Sequence, residues 1–214
     1  MSRLRVESLS ISLDGYCAGP NQGLENPLGQ NGMTIMDWFR PTLTFQKMIG
    51  QVGGTTGVDN QFASRGFEGI GANMIGRNMC GPIRGPWKDE DWKGWWGPNP
   101  PYHSPVFVLT HHPRKPLEME GGTTFYFVTD GLESALSQAQ QAAGGKDIRL
   151  NGGVSVIRQY LSKGLVDQMH LAVSAKLLGA GENLFAGLDL PKFGYAVKER
   201  VSGENATHVI IGRS

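Results

Sequence analysis

Two short runs in the middle of the chain, Val106–Thr110 and Phe125–Thr129, are apolar, aromatic or β-branched at every position. Such runs are typical of strands that are buried on both faces, and these strands occur in parallel sheets that helices cover on each side. The two runs therefore restrict the chain to an α/β fold with a central, mostly parallel sheet.

Other segments extend this sheet to about eight strands. Further strands are predicted, from alternation or from apolar runs, at Leu9–Leu13, Asn73–Gly76, Asp147–Leu150, Met169–Ala175, Tyr195–Val201 and Thr207–Ile211. The last two are separated by a short polar turn, Ser202–Asn205, which predicts an antiparallel pair at the end of the chain.

Helices are predicted between the strands, at Thr42–Val52, Gln61–Gly69, Gly131–Ala143 and Val154–Lys163. Strands and helices alternate through the middle, and strands alone follow. We therefore expect a mixed, mostly parallel sheet with helices on both faces and antiparallel C-terminal strands. Composition does not shift along the 214 residues, so a single domain over 1–214 is predicted.

Charge and cysteine content narrow the function classes. The chain has 20 Lys and Arg against 19 Asp and Glu, a net charge of +1. This near balance argues against nucleic-acid or anionic-membrane partners, which need a basic surface. Its two cysteines form no C-x-x-C motif, and no secretory signal or membrane-spanning run is recognised. A cytoplasmic protein that acts on a small molecule is expected.

The strongest local signal is a strand that runs into two glycines and then a helix, Leu150–Gly153 followed by Val154. Backbone amides at a helix N-terminus, unshielded by Cβ atoms, favour a phosphate group. The alternative is a tight strand-to-helix turn that needs glycine only for its dihedral angles. The segment matches neither G-x-G-x-x-G nor the Walker motif.

Two further strand ends carry groups suited to phosphate. Thr110–Arg114 and Gly76–Asn78 each follow a predicted strand, and ligands bind beyond the carboxyl ends of parallel strands. Together, three such ends meet the needs of a dinucleotide. The alternative to a phosphate site at Thr110–Arg114 is a solvated loop. The two adjacent histidines of this segment lack the spacing of a metal site, so no metal is predicted. Four tryptophans in 87–96 are predicted to cover a flat ligand, to bind the face of a sugar, or to anchor their loop on the core.

Five motifs in order resemble one family. They are SLDGYCAG (Ser12–Gly19), NMIGRN (Asn73–Asn78), VFVLTHHPR (Val106–Arg114), LNGGVSVIRQYL (Leu150–Leu161) and LLGAGENLF (Leu177–Phe185). Together they resemble the reductase domain of the bifunctional riboflavin-biosynthesis deaminase-reductase and the wider dihydrofolate reductase superfamily. The resemblance covers nearly the whole chain and implies a dihydrofolate-reductase-like fold.

The resemblance also implies NADPH as cofactor. Gly76, Arg77 and Asn78 would meet its phosphates, while Thr110 and His111, helped by Arg114, would hold the 2′-phosphate. The remaining positions that the family implies are Thr129 near the adenine, Gly152, Gly153, Val154 and Ser155 at the pyrophosphate, and Cys17 and Ala18 along the nicotinamide.

The resulting prediction is an NADPH-dependent oxidoreductase that reduces a small polarised C=O, C=N or C=C acceptor. Asp14 is predicted to order the substrate or its loop, with a plain turn role as the alternative, and Asn151 to hydrogen-bond the substrate. Asp37 and Trp38 are predicted on the substrate side. Asn151 replaces the glutamate of riboflavin reductases, and the deaminase half is absent. The alternatives are a riboflavin-pathway pyrimidine reductase and a non-catalytic nucleotide-binding protein. By analogy with the fold, a homodimer is expected.

Overall fold

The computed structural model describes residues 2–81, 84–88 and 91–213. Within these residues the strands are β1 (Leu4–Ser12), β2 (Ile70–Gly76), β3 (Pro105–Leu109), β4 (Leu117–Glu118), β5 (Thr124–Val128), β6 (Asp147–Gly152), β7 (Gln168–Ser174), β8 (Tyr195–Ser202) and β9 (Ala206–Arg213). They form one sheet in the order β4-β5-β3-β2-β6-β1-β7-β9-β8.

Six neighbouring strands, from β5 through β3, β2, β6 and β1 to β7, run parallel. At one edge β4 pairs antiparallel with β5, and at the other β9 and β8 add an antiparallel pair. The predicted mixed, mostly parallel sheet with antiparallel C-terminal strands is confirmed. The additional strand, β4, has only two residues, which is too short for any periodic pattern in the sequence.

Helices cover both faces of this sheet. They are α1 (Leu43–Met48), α2 (Val58–Arg65), α3 (Arg77–Cys80), α4 (Leu132–Ala142) and α5 (Val154–Ser162), with 3-10 turns at Gly32–Met36, Glu120–Gly122 and Leu190–Phe193. Helices α4 and α5 bury Ala139 and Ile157 against the apolar core that contains Leu171. On the other face, Phe62 of α2 stacks on His170, the residue before Leu171. Consecutive residues of a strand point to opposite faces, so α2 lies opposite α4 and α5.

Two helices differ from their predicted bounds. The predicted Thr42–Val52 helix ends at Met48, because Gly50 and the two glycines at 53 and 54 adopt positive φ angles that break the helix. Helix α2 begins three residues earlier than predicted. Its first turn is capped from a distant loop, since the Glu204 carboxylate accepts hydrogen bonds from the N–H groups of Val58 and Asp59, each at 2.8 Å.

A buried polar chain joins β1 to α2 across β7 and β9. The Ser8 N–H, at a bulge in β1, donates to His170 Nδ1 at 3.1 Å. Consequently His170 donates through Nε2 to His208 Nδ1 at 2.9 Å, and His208 donates through its own Nε2 to the Asp59 carboxylate at 2.8 Å. Burial lowers the pKa of His170 to about 3 and also lowers the pKa of His208, so both rings are neutral.

Candidate functional site

A cavity of about 960 Å³ lies where the parallel strands end. Its wall contains the last residues of β2 and β6, Gly76 and Gly152, and the residues directly after β3 and β5, Thr110 and Thr129. Ligands of α/β proteins bind beyond the carboxyl ends of the strands, and cavities of this size hold cofactors and small substrates. The cavity is therefore the candidate functional site.

Most of the predicted site residues meet in this one cavity. Its lining includes Cys17, Ala18, Gly76, Arg77, Asn78, Thr110, His111, Thr129, Asn151, Gly152, Gly153, Val154 and Ser155. Arg114, Asp14, Asp37 and Trp38 are outside the lining. The shared location is a structural fact, whereas the binding role of each residue stays a prediction.

The paired glycines connect β6 to α5 as the sequence predicts. Gly152 has a φ of +134°, a conformation that side-chain-bearing residues rarely adopt, and the Gly152–Gly153 peptide bond is cis. A Cβ on Gly153 would meet nothing within 4 Å, so the backbone here faces open cavity. The N–H groups of Val154 and Ser155 are in the first turn of α5, where they have no intrahelical acceptor. The turn can therefore accept an anion.

Arg77 and Arg114 flank one tryptophan ring at the cavity edge. Arg77 Cζ lies 3.5 Å from the Trp87 ring centroid, and Arg114 Cζ lies 4.9 Å from it. Burial, and then the charge of Arg114, lower the pKa of Arg77. Arg114 thus contributes positive charge near Arg77, although it is not itself in the cavity wall.

The predicted 2′-phosphate loop is a tight turn. The Thr110 hydroxyl accepts a hydrogen bond from the His112 N–H at 3.1 Å and lies 3.4 Å from the His112 carbonyl oxygen. The hydroxyl therefore shapes the turn, while the exposed His111 side chain lines the cavity.

Polar side chains of β2 and β6 form the deep wall of the cavity. Asn151 Nδ2 donates to Asn73 Oδ1 at 2.8 Å and to the Arg149 carbonyl oxygen at 3.1 Å. Arg149 also lines the cavity, and burial lowers the pKa of its guanidinium to about 10. Sequence reasoning missed Arg149 and Asn73. In β6, Arg149 and Asn151 alternate with the buried Ile148 and Leu150, so they lie on the same face of the strand. This alternation could have predicted Arg149 beside Asn151 in the site.

Asp14 organises a loop and does not reach the cavity. Its carboxylate accepts hydrogen bonds from the Ser12 hydroxyl at 2.5 Å and from the N–H groups of Leu178 and Gly179 at 3.1 and 2.7 Å. The hydrogen bond from Ser12 is the main cause that lowers the pKa of Asp14. Of its two predicted roles, this geometry supports loop ordering, because the carboxylate is already engaged there.

Trp38 and Asp37 also lie away from the predicted substrate position. Trp38 is 1% exposed and donates from Nε1 to the Ser10 hydroxyl at 2.8 Å, so its indole belongs to the core. The Asp37 carboxylate pairs with Arg40 and, at 3.3 Å, with Lys176. Their neighbours Met36, Phe39 and Arg40 line the cavity instead.

Two residues of the tryptophan-rich loop anchor it, and two others line the cavity, while a role in covering a ligand stays a prediction. Trp87 and Trp92 anchor it, since their indole N–H groups donate to the carbonyl oxygens of His112 at 2.9 Å and Cys80 at 2.8 Å. Trp95 and Trp96 line the cavity.

The cavity contains one buried thiol. Burial raises the pKa of Cys17 to about 12, so the group stays protonated and is a poor nucleophile. Among the described residues, no group of three or more His, Cys, Asp or Glu side chains is arranged to hold a metal ion. None of the helices in this part of the chain is long and apolar enough to cross a membrane.

The family match to known proteins includes all the residues that line the cavity. The family model of the RibD C-terminal domain matches residues 6–208. Among curated proteins, the chain is 24% identical over 184 residues to the uncharacterized protein YyaP of Bacillus subtilis (strain 168). The aligned region covers 84% of this chain and 79% of that protein.

Solved structures show the same fold. A protein of Shewanella sp. PV-4 assigned to riboflavin biosynthesis has a TM-score of 0.59 and 21% identity, over 100% of this chain and 99% of that one. The diaminohydroxyphosphoribosylaminopyrimidine deaminase/5-amino-6-(5-phosphoribosylamino)uracil reductase of Thermotoga maritima has a TM-score of 0.56 and 13% identity, over 100% and 57%.

A dihydrofolate reductase from Enterococcus faecalis, solved with NADP(H), has a TM-score of 0.50 and 11% identity, over 100% of this chain and 96% of that one. These likenesses confirm the predicted dihydrofolate-reductase-like architecture. With the family model matched from residue 6 to residue 208, the chain belongs to the RibD C-terminal domain family, a reductase-like family.

Proposed function

We propose that this protein is an NADPH-dependent reductase that transfers hydride to a small acceptor with a polarised C=O, C=N or C=C bond. The observation that carries the proposal is the convergence of four strand ends and the N-terminus of α5 on one cavity. A dinucleotide needs several phosphate-binding sites in line, and adjacent strand ends can supply them.

The residues of the cavity fit the pyrophosphate of such a cofactor. The open space beside Gly153 leaves the backbone accessible, and the amides of Val154 and Ser155 point along a helix axis that favours negative charge. Gly76 lies against this turn, because a Cβ there would come within 2.7 Å of Val156 Cγ2. The proposed pyrophosphate site therefore depends on glycine at the ends of both β2 and β6.

The positive side chains near Trp87 fit the additional phosphate that distinguishes NADPH from NADH. Burial and then the charge of Arg114 lower the pKa of Arg77, and an anion beside Arg77 would be attracted to both guanidinium groups. His111, which also lines the cavity, adds a hydrogen-bonding ring.

Bound NADPH would supply a hydride to the acceptor carbon. The chain itself would bind the cofactor, orient the acceptor and shield it from water. Cys17 and Ala18 would form the wall along the nicotinamide, and the amide of Asn151, held by Asn73, would orient the acceptor. Met36 and Phe39 would exclude bulk water from the acceptor. The proton that the second atom of the reduced bond takes up would come from a water molecule.

The test combines binding with turnover. Calorimetric titration with NADPH and with NADH should show tighter binding of NADPH, and a panel of carbonyls, flavins and pterins should include a compound that oxidises NADPH. If neither cofactor binds, the proposal is wrong. If NADPH binds tightly and no acceptor is reduced, the protein is a non-catalytic nucleotide-binding member of the fold.

Reduction of a riboflavin-pathway pyrimidine is a second candidate. The similarity to the Shewanella and Thermotoga proteins favours it, although this chain spans only 57% of the Thermotoga protein. Expression in a bacterial strain that lacks the pathway reductase tests it directly: restored growth without riboflavin supports this function, and continued riboflavin dependence contradicts it.

A further inference from the structure

The Arg149 side chain is a cation in the cavity wall that the residues in 2–81, 84–88 and 91–213 neutralise only in part. It makes one hydrogen bond to the described residues, from Nη2 to the carbonyl oxygen of Glu7 at 3.2 Å. Its Nε is buried without a hydrogen-bond partner. In the described part of the chain, no carboxylate lies within ion-pair distance of it. A guanidinium has five N–H donors, so most of its donor capacity is unused.

The carboxylates of Glu7 and Asp147 form ion pairs with other arginines. Glu7 is 3.4 Å from Arg5, and Asp147 is 3.5 Å from Arg5 and 2.6 Å from Arg3. The Glu7 carboxylate also attracts Arg149, but at longer range than an ion pair, and it is shared with Arg5. Three arginines, Arg3, Arg5 and Arg149, thus share the carboxylates of Glu7 and Asp147, and a buried charge that is incompletely paired is unfavourable.

The orientation of the guanidinium favours a flat ligand that binds at its edge. The ring of Phe67 covers one face, with Arg149 Cζ 4.4 Å from the ring centroid. Arginine stacked in this way still offers its in-plane N–H groups, which match the two oxygens of a carboxylate. Apolar side chains, including Leu9 and Phe39, line the cavity nearby and can hold a ring.

We infer that the acceptor is a planar organic anion, and that Arg149 binds its carboxylate or enolate oxygen at the deep wall of the cavity. That this anion is the hydride acceptor rests on the proposed reductase function, whereas the presence of an anion site rests on the geometry of Arg149 alone. The side chain would be a specificity-determining residue, since it selects acceptors by charge.

Binding of matched pairs of small molecules to the wild-type chain tests this inference. The pairs are benzoate with benzamide, and barbiturate, an enolate at neutral pH, with uracil. Ligand-observed NMR titrations should give a dissociation constant at least about tenfold lower for the anion of one pair or both. A preference for benzoate alone identifies a carboxylate site, and a preference for barbiturate alone identifies an enolate site. Equal affinity within both pairs overturns the inference.

Substitution of Arg149 assigns any such preference to this side chain. Arg149→Met should abolish it, and Arg149→Lys, which keeps the charge and loses the planar fork, should weaken it without abolishing it. The control is Arg200→Met, which removes an exposed charge on β8 and should leave the preference intact. If Arg149→Met does not fold, the Lys variant decides: an unchanged preference in it overturns the role of Arg149.

Cofactor titration of the same proteins separates this inference from the proposed function. Arg149→Met should bind NADPH within about twofold of the wild type, because Arg149 lies away from the residues proposed to hold phosphate. Anion preference without NADPH binding would leave the anion site standing and contradict the reductase. NADPH binding without anion preference would contradict only the anion site.

Discussion

The guanidinium of Arg77 stacks on the indole of Trp87, with Cζ 3.5 Å from the ring centroid, and Arg114 approaches the same ring at 4.9 Å. The tryptophan thus holds two positive charges close together at the cavity edge. This arrangement explains the lowered pKa of Arg77, to which burial contributes most and Arg114 contributes further. An anion between the strand ends would be attracted to both cations.

Replacement of these cations should separate the two nicotinamide cofactors. Arg77→Ala should weaken NADPH binding by about 1–3 kcal/mol and leave NADH binding nearly unchanged, because only NADPH has the 2′-phosphate. Arg114→Ala should act in the same direction. Calorimetric titration of both cofactors measures the difference, with Arg200→Ala as the control for a lost surface charge. Equal losses for NADPH and NADH would contradict this assignment.

The two glycines before α5 should respond differently to alanine. Gly153→Ala should change the free energy of unfolding by less than about 0.5 kcal/mol, because a Cβ there meets only open space. It should still weaken NADPH binding, since the Cβ would stand in front of the amides. Gly152→Ala should destabilise the fold by about 1–3 kcal/mol because of its φ of +134°.

Urea denaturation and cofactor titration of both variants check this prediction. Gly23→Ala is a matched control, because a Cβ on Gly23 also meets nothing within 4 Å and Gly23 is outside the cavity lining. Unchanged NADPH affinity in Gly153→Ala would show that this turn does not bind the cofactor.

Trp38 should behave as a core residue. Trp38→Phe removes a buried hydrogen bond to Ser10 and part of a side chain that is 1% exposed. The free energy of unfolding should fall by about 1–3 kcal/mol. The NADPH dissociation constant should stay within about twofold of the wild type. Denaturation and calorimetry measure these quantities, and a large loss of affinity without loss of stability would place Trp38 at the ligand.

Acid should destabilise the fold through the buried histidines. The pKa of His170 falls from 6.5 when unfolded to about 3 when folded, and the pKa of His208 is also lowered. The unfolded chain therefore binds protons that the folded chain does not, so stability falls as the pH drops from about 6.5 towards 3. Each histidine contributes a slope of up to about 1.4 kcal/mol per pH unit. Glu7, whose pKa is raised, offsets part of this slope.

Urea denaturation at a series of pH values measures the slope. The double variant His170→Gln, His208→Gln should be less stable at neutral pH and should show a flatter profile between about pH 6.5 and 4.5. An equal slope in the wild type and the double variant would assign the acid sensitivity to other groups.

Local patterns predicted the elements with clear periodicity. The continuous runs that became β3 and β5 and the glycine-terminated helix α4 agree with the structure to within one or two residues at each end. Helix α2 begins three residues before its predicted start, because its N-terminus depends on Glu204, which is 146 residues from Val58 along the chain. Local patterns cannot report such a partner.

The sequence by itself determined the fold class, the parallel sheet and the strand ends that meet at the cavity, because strand burial and glycine turns are local properties of the chain. For several polar side chains, the tertiary structure decided whether they face that cavity. Trp38 and Asp14 turn to other partners, while Arg149 turns inward. The physical reason is that a polar side chain is committed by the partners that packing brings to it, and these lie far away in the sequence.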